Sequence, residues 1–156
     1  MIKLSTDRTH QHLVIFDKAG VKKFEGDIGK KTVAITGIEP GTSVTNGEYQ
    51  VAWSDGTSLS RKVDVPGFTV KVPVTGITLT KSELSMTVGD QTYIGAVVSP
   101  PNATNRKIIC QSTDEAVATF DYTGLVVAKG VGKTTIKATT IDGGYSAECV
   151  VTVTEK

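Results

Sequence analysis

The stretch STDEAVATFDYTGLVVA, Ser112 to Ala128, decides the fold. It reads as a strand, a tight turn at Asp121-Tyr122-Thr123-Gly124, and a second strand. Val117, Ala118 and Phe120 lie before the turn and Leu125 to Ala128 after it. Asp suits a turn because its carboxylate bonds nearby backbone, and Gly supplies the φ > 0 that other residues avoid. The stretch contains no catalytic chemistry.

The same period-two pattern continues outward on both sides. Downstream, Gly130 and Gly132 break the chain before Thr134, Ile136 and Ala138. Asp142-Gly143-Gly144 is a hairpin turn, and Cys149, Val151 and Val153 form the last strand. Upstream, the predicted strands carry Ile77 and Leu79; Leu84, Met86 and Val88; Ile94, Ala96 and Val98; and Ile108 with Cys110. Gly89-Asp90 and Pro100-Pro101 punctuate them.

Read together, VTGITLTKSELSMTVGD, GAVVSPPNATNRKIIC, the long run STDEAVATFDYTGLVVAKGVGKTTIKATTIDGG and CVVTV resemble the bacterial immunoglobulin-like domain, group 2, over residues 74–154. The resemblance implies a small β-sandwich with no common catalytic residue. It also implies a setting in bacteriophage virion proteins or bacterial surface adhesins, where such domains supply spacing, adhesion or decoration. One position departs from the family, which usually has Trp where this chain has Cys110. A small thiol there requires different local packing.

Residues 1–73 carry no family resemblance but have similar punctuation. Residues 1–9 read as a polar arm. Leu13 to Phe16, the turn Asp17 to Gly20, and Val21 to Phe24 read as a hairpin. Further strands are predicted at Val33 and Ile35, at Tyr49, Val51 and Trp53, at Val63 and Val65, and at Phe68, Val70 and Val72. Pro40-Gly41, Asn46-Gly47 and Ser54 to Thr57 are turn signals. Pro66 and Pro73 favour strand ends, since Pro cannot donate to a ladder. The boundary is placed at Pro73 to Gly76. The predicted fold is therefore all-β: two tandem small antiparallel β-sandwiches, an anchoring domain over 1–73 and an immunoglobulin-like domain over 74–156.

Composition excludes several function classes. Across 156 residues, 17 basic side chains balance 16 acidic ones. A net charge of +1 gives no general attraction to nucleic acid or an anionic membrane. No apolar run approaches the roughly 18 residues of a membrane helix. Met1 to Asp17 lacks a secretory pattern, which leads to the expectation of a cytosolic start.

Each candidate site has a plain structural alternative. Gly130-Val131-Gly132-Lys133-Thr134 looks like the end of a phosphate loop, but the required earlier glycine position is Val127 and a strand follows. His10 and His12 would share a strand face, yet a metal needs more ligands, which only a symmetric oligomer would supply; an exposed polar strand start is the alternative. Asp114, Glu115, Asp121 and Asp142 lack the Asp-x-Asp-x-Asp spacing of a calcium loop and suit turns. Tyr49 and Trp53 suggest a sugar-stacking platform or, on alternation, core. Lys22-Lys23 and Lys30-Lys31 are basic pairs or a solvated face. Cys110 and Cys149 are expected in the core of the second domain, either as two thiols or as an inter-sheet disulfide. No Ser, His and Asp set has catalytic spacing, and no catalytic residue, cofactor or metal is assigned.

The expectation is a non-enzymatic phage virion accessory protein: a capsid decoration protein, head fibre or tail-associated protein, assembled in the host cytoplasm. Residues 1–73 would anchor on the major capsid or tail protein and residues 74–156 would project, adhering weakly to host-surface glycan. A homo-trimer suits such a lattice, where many weak copies gain avidity. The alternative is a bacterial cell-surface adhesin, or a fragment of one, binding a host receptor or cell-wall polymer.

Overall fold

The computed structural model describes residues 8–156; most of the expected polar arm lies outside them. Among the described residues there are fifteen strands and no helix, so the chain is all-β. It divides into two compact units, Met1–Val70 and Lys71–Lys156. Val70 exchanges backbone bonds with Gly41 and Thr42. Val72 instead donates to Thr104 Oγ1 and accepts from the Thr104 N–H, so the ladder partners change at Lys71.

In the first unit, β1 (His12–Asp17), β2 (Lys22–Glu25), β4 (Tyr49–Ser54) and β5 (Val63–Asp64) form an antiparallel sheet in the order β2-β1-β4-β5. β3 (Ser43–Val44) and β6 (Phe68–Thr69) form a separate ribbon. Gly20, at φ +81°, closes the β1–β2 turn, and Asp17 Oδ1 accepts the Val21 N–H inside it. Strand alternation puts His12, Val14 and Phe16 on one face with Ala52 and Ser54, and that face is buried.

Two expectations for this unit are corrected. Tyr49, Val51 and Trp53 were expected in the core, yet they are only half-buried, opposite Asp17, the buried Ile15, and Leu13. The buried cluster is Val14, Phe16 and Ala52. An alternating strand has two faces, and here the smaller side chains were the inner set. Val33 and Ile35 are half-buried, but no strand covers them. Their alternation meets no partner strand, so no ladder forms.

The second unit contains β7 (Gly76–Leu79), β8 (Glu83–Thr87), β9 (Gln91–Tyr93), β10 (Ala96–Ser99), β11 (Ile108–Ser112), β12 (Ala118–Phe120), β13 (Leu125–Ala128), β14 (Gly132–Thr140) and β15 (Ser146–Thr154). The sheets are β11-β14-β15-β8, β12-β13-β9 and β10-β7. Along β14 every second residue from Thr134 to Thr140 is buried. Ile136 and Ala138 meet Cys149, Val151 and Val153 of β15, and Val126, Ala128, Ala118 and Phe120 of the β12–β13 hairpin. Fully buried residues such as Ile94 and Ile136 each contribute roughly 2–3 kcal/mol by leaving water.

The Asp121–Gly124 turn forms where the sequence predicts it. Gly124 takes φ +87°, and Asp121 exchanges backbone bonds with Gly124 and Leu125. Two features differ from the sequence pattern. The run Ile94, Ala96, Val98 is split, because Ile94 donates to Gly124 while Gly95 donates to Thr80 Oγ1. The chain thereby leaves the β9 sheet and joins β7 as β10. In addition, β8 lies parallel to β15, whereas all other ladders are antiparallel.

Candidate functional site

The residues singled out from the sequence are mostly engaged in structure. Thr134 is buried, and its Oγ1 meets the hydroxyls of Ser112 and Thr113 and accepts the Asp114 N–H at 2.9 Å. Lys129 and Gly130 both donate their N–H groups to Val117 O. The amides of Lys129 and Gly130 are thus committed within a turn, and a strand follows, so the helix that a phosphate loop opens is not formed here.

The four acidic residues do not gather. Asp114 Oδ1 accepts the Ala116 N–H at 2.9 Å. Asp121 Oδ1 accepts the Thr123 hydroxyl and the N–H groups of Thr123 and Leu125. These bonds, the Thr123 hydroxyl foremost, hold the Asp121 carboxyl below its ordinary range. Asp142 Oδ2 accepts the Val74 N–H. Among the described residues no group of three His, Cys, Asp or Glu side chains is arranged to hold a metal.

His10 and His12 do not share a strand. His10 is exposed in a turn, and β1 begins at His12. His12 is only 6% exposed, which corrects the expectation of a solvated strand start. Its Nε2–H donates to Glu25 Oε1 at 2.6 Å, while the buried Nδ1 has no partner among the described residues. Lys22 pairs with Glu25 and Lys23 with Asp17, so this basic pair is neutralised locally. The Arg8 guanidinium covers one face of Trp53, lying 4.8 Å from its ring centroid and donating to Gln11 Oε1. Tyr49 packs its ring 6.3 Å from that of Phe24.

Cys149 is fully buried, Cys110 is half-buried against the same core, and both are free thiols. An inter-sheet disulfide is ruled out by topology. Both cysteines belong to one sheet, with β14 between their strands. Two strand spacings separate them by about 10 Å, beyond the roughly 7 Å that a disulfide spans. Their register is also offset, since Cys110 faces Ala138, which faces Ala147. Burial pushes both thiols above the ordinary 9.0, and the Asp121 carboxylate adds to this at Cys110.

One surface feature was missed in the sequence. Arg106, Lys107, Ile108, Tyr122 and Ile141 line an open groove of about 400 Å³ on the second unit. Tyr122 is 82% exposed and Ile141 54%. Among the described residues neither Arg106 nor Lys107 has an ion-pair partner. Three separate segments build the groove, so no contiguous motif marks it. The available signal was a bulky Tyr at the tip of a tight turn.

Residues 73–151, half of the chain, match the family described as Bacterial Ig-like domain (group 2). The chain belongs to the bacterial Ig-like domain (group 2) family. An Ig-like virion protein of Serratia phage KSP90 is 40% identical to this group 2 Ig-like chain over 83 residues, 53% of it and 32% of the relative. An alpha-L-arabinofuranosidase of Bifidobacterium longum subsp. longum is 33% identical over 106 residues, 68% of this chain and 10% of the relative. A kappa-carrageenase of Pseudoalteromonas carrageenovora is 32% identical over 82 residues, 53% of this chain and 21% of the relative. The group 2 Ig-like chain therefore spans a third or less of the length of each of these relatives.

Proposed function

We propose that this chain is a bacteriophage virion accessory protein, a capsid decoration, head-fibre or tail-associated component. In this reading the Met1–Val70 unit anchors on the particle and the group 2 Ig-like unit is exposed. The observation that carries it is the 40% identity to an Ig-like virion protein of a Serratia phage. The distribution of side chains agrees with a module that binds or spaces. In the second unit Asp114, Asp121, Asp142 and Thr134 bond to backbone or to neighbouring hydroxyls, as structural turns require. Weak adhesion to host-surface glycan, multiplied over a lattice or a trimer, gives such a component its use.

Antibodies raised against residues 71–156 test this on purified, intact particles. Surface labelling, together with recovery of the chain from the particles at a fixed copy number, is expected. Recovery from the bacterial envelope instead would select the adhesin reading.

A further inference from the structure

The groove on the second unit combines two kinds of surface. Arg106 and Lys107 supply two exposed cations without ion-pair partners among the described residues. Tyr122, Ile108 and Ile141 supply an apolar wall. The two carboxylates next to groove residues in sequence keep their charge but are held in structural bonds of their own. Asp121 accepts the three bonds of its own turn, and Asp142 holds the Val74 N–H. No carboxylate lines the groove, although acidic and basic side chains are balanced over residues 71–156.

The groove is held on fixed backbone. The Asp121 bonds set the turn that presents the Tyr122 ring. Lys107 donates its N–H to Asn105 Oδ1 and accepts the Ile141 N–H at 3.0 Å, which joins two sides of the groove. A surface ordered before binding loses less entropy on binding.

We infer that this groove takes an acidic polysaccharide, with a sugar carboxylate held by Arg106 and Lys107 and a sugar face laid on Tyr122. A carboxylated sugar presents both complementary surfaces, an anion and a flat C–H face. A neutral sugar would leave the two cations unused, and a simple polyanion would leave the exposed aromatic ring unused. Arg in particular meets a carboxylate with two parallel N–H bonds. This deepens the reading of the Ig-like unit as the exposed, adhesive part and rests on it.

Affinity electrophoresis of the full chain through gels containing polygalacturonate, neutral galactan or poly-glutamate tests the inference. Retardation by polygalacturonate alone is expected. The double substitution Arg106→Ala with Lys107→Ala should weaken it by roughly tenfold or more, and Tyr122→Ala by about tenfold, while Tyr122→Phe retains it. Unchanged melting curves check that these exposed substitutions leave the fold intact. Equal retardation by poly-glutamate would reduce the groove to a charge patch and overturn the proposal. So would retardation by galactan alone, no retardation by polygalacturonate, or indifference to Tyr122→Ala. Particle labelling is measured separately, so a chain that labels virions but ignores polygalacturonate overturns only the groove assignment.

Discussion

Asp142 Oδ2 accepts the backbone N–H of Val74 at 3.0 Å, joining positions 68 residues apart. Val74 is buried, so the carboxylate satisfies a donor that water reaches poorly. Asp142→Ala should therefore lower the stability of the second unit by about 1–3 kcal/mol, the cost of an orphaned buried N–H. Asp142→Asn keeps an acceptor and should lose much less. Urea denaturation of the three proteins gives the comparison, and equal losses would mean that the bond is dispensable.

Gly124 and Gly89 separate two costs of replacing a glycine. Both have positive φ, +87° and +92°. A Cβ at Gly124 would lie 2.5 Å from Ile94 O, whereas at Gly89 nothing lies within 4 Å. Gly89→Ala should cost about 1 kcal/mol, from backbone strain alone. Gly124→Ala should cost more than about 2 kcal/mol, since it also displaces the Ile94 carbonyl that precedes the change of sheet. Thermal unfolding of both variants would reveal the difference, and equal losses would contradict the close approach.

Cys110 and Cys149 should remain thiols in air. Melting temperature should be the same with and without reductant. At neutral pH in the native state, iodoacetamide should modify half-buried Cys110 slowly and Cys149 only after unfolding, because burial raises both thiol pKa values and reaction requires the thiolate. Intact-mass analysis of the alkylated protein follows this directly. A mass two hydrogens low, or rapid labelling of Cys149, would contradict the sheet placement.

Asp121 predicts the direction of acid sensitivity. Its folded-state pKa lies below the ordinary 3.8 because the Thr123 hydroxyl and nearby N–H groups bond the carboxylate. The stability this contributes is fully present above the unfolded-state value and is lost as pH falls through the lower folded value. Asp121→Asn removes the ionisable group, so it should lower stability at pH 7, where the charged form contributes fully, and approach the unsubstituted chain as pH falls below about 4. Denaturation midpoints measured from pH 2 to pH 7 would show it.

Much of the second unit was legible because period-two alternation and turn chemistry agree there. Thr134, Ile136 and Ala138 alternate into a buried face, and Asp121 to Gly124 form the expected turn. The Ile94–Gly95 switch was not legible, since the apolar pattern runs through it and only hydrogen bonds to distant Gly124 and Thr80 redirect the chain. In the first unit the choice of inner face failed at Tyr49, Val51 and Trp53. Size suggested burial, but Ala52 faces Val14 where the backbone is closely covered. The groove was invisible in the sequence because Arg106, Tyr122 and Ile141 meet only after β11, the β12–β13 hairpin and the end of β14 have assembled.

The parallel pairing of β8 with β15 also has a mechanical consequence. Its rungs run from Glu83 opposite Val150 to Thr87 opposite Thr154. Tension entering at Glu83 and leaving at Thr154 pulls the two strands from opposite ends of the ladder. All five rungs then bear load at once in shear, instead of opening one after another as an unzipped hairpin would. A unit built this way resists stretching along its own chain, because its terminal strands part only when the whole ladder fails together.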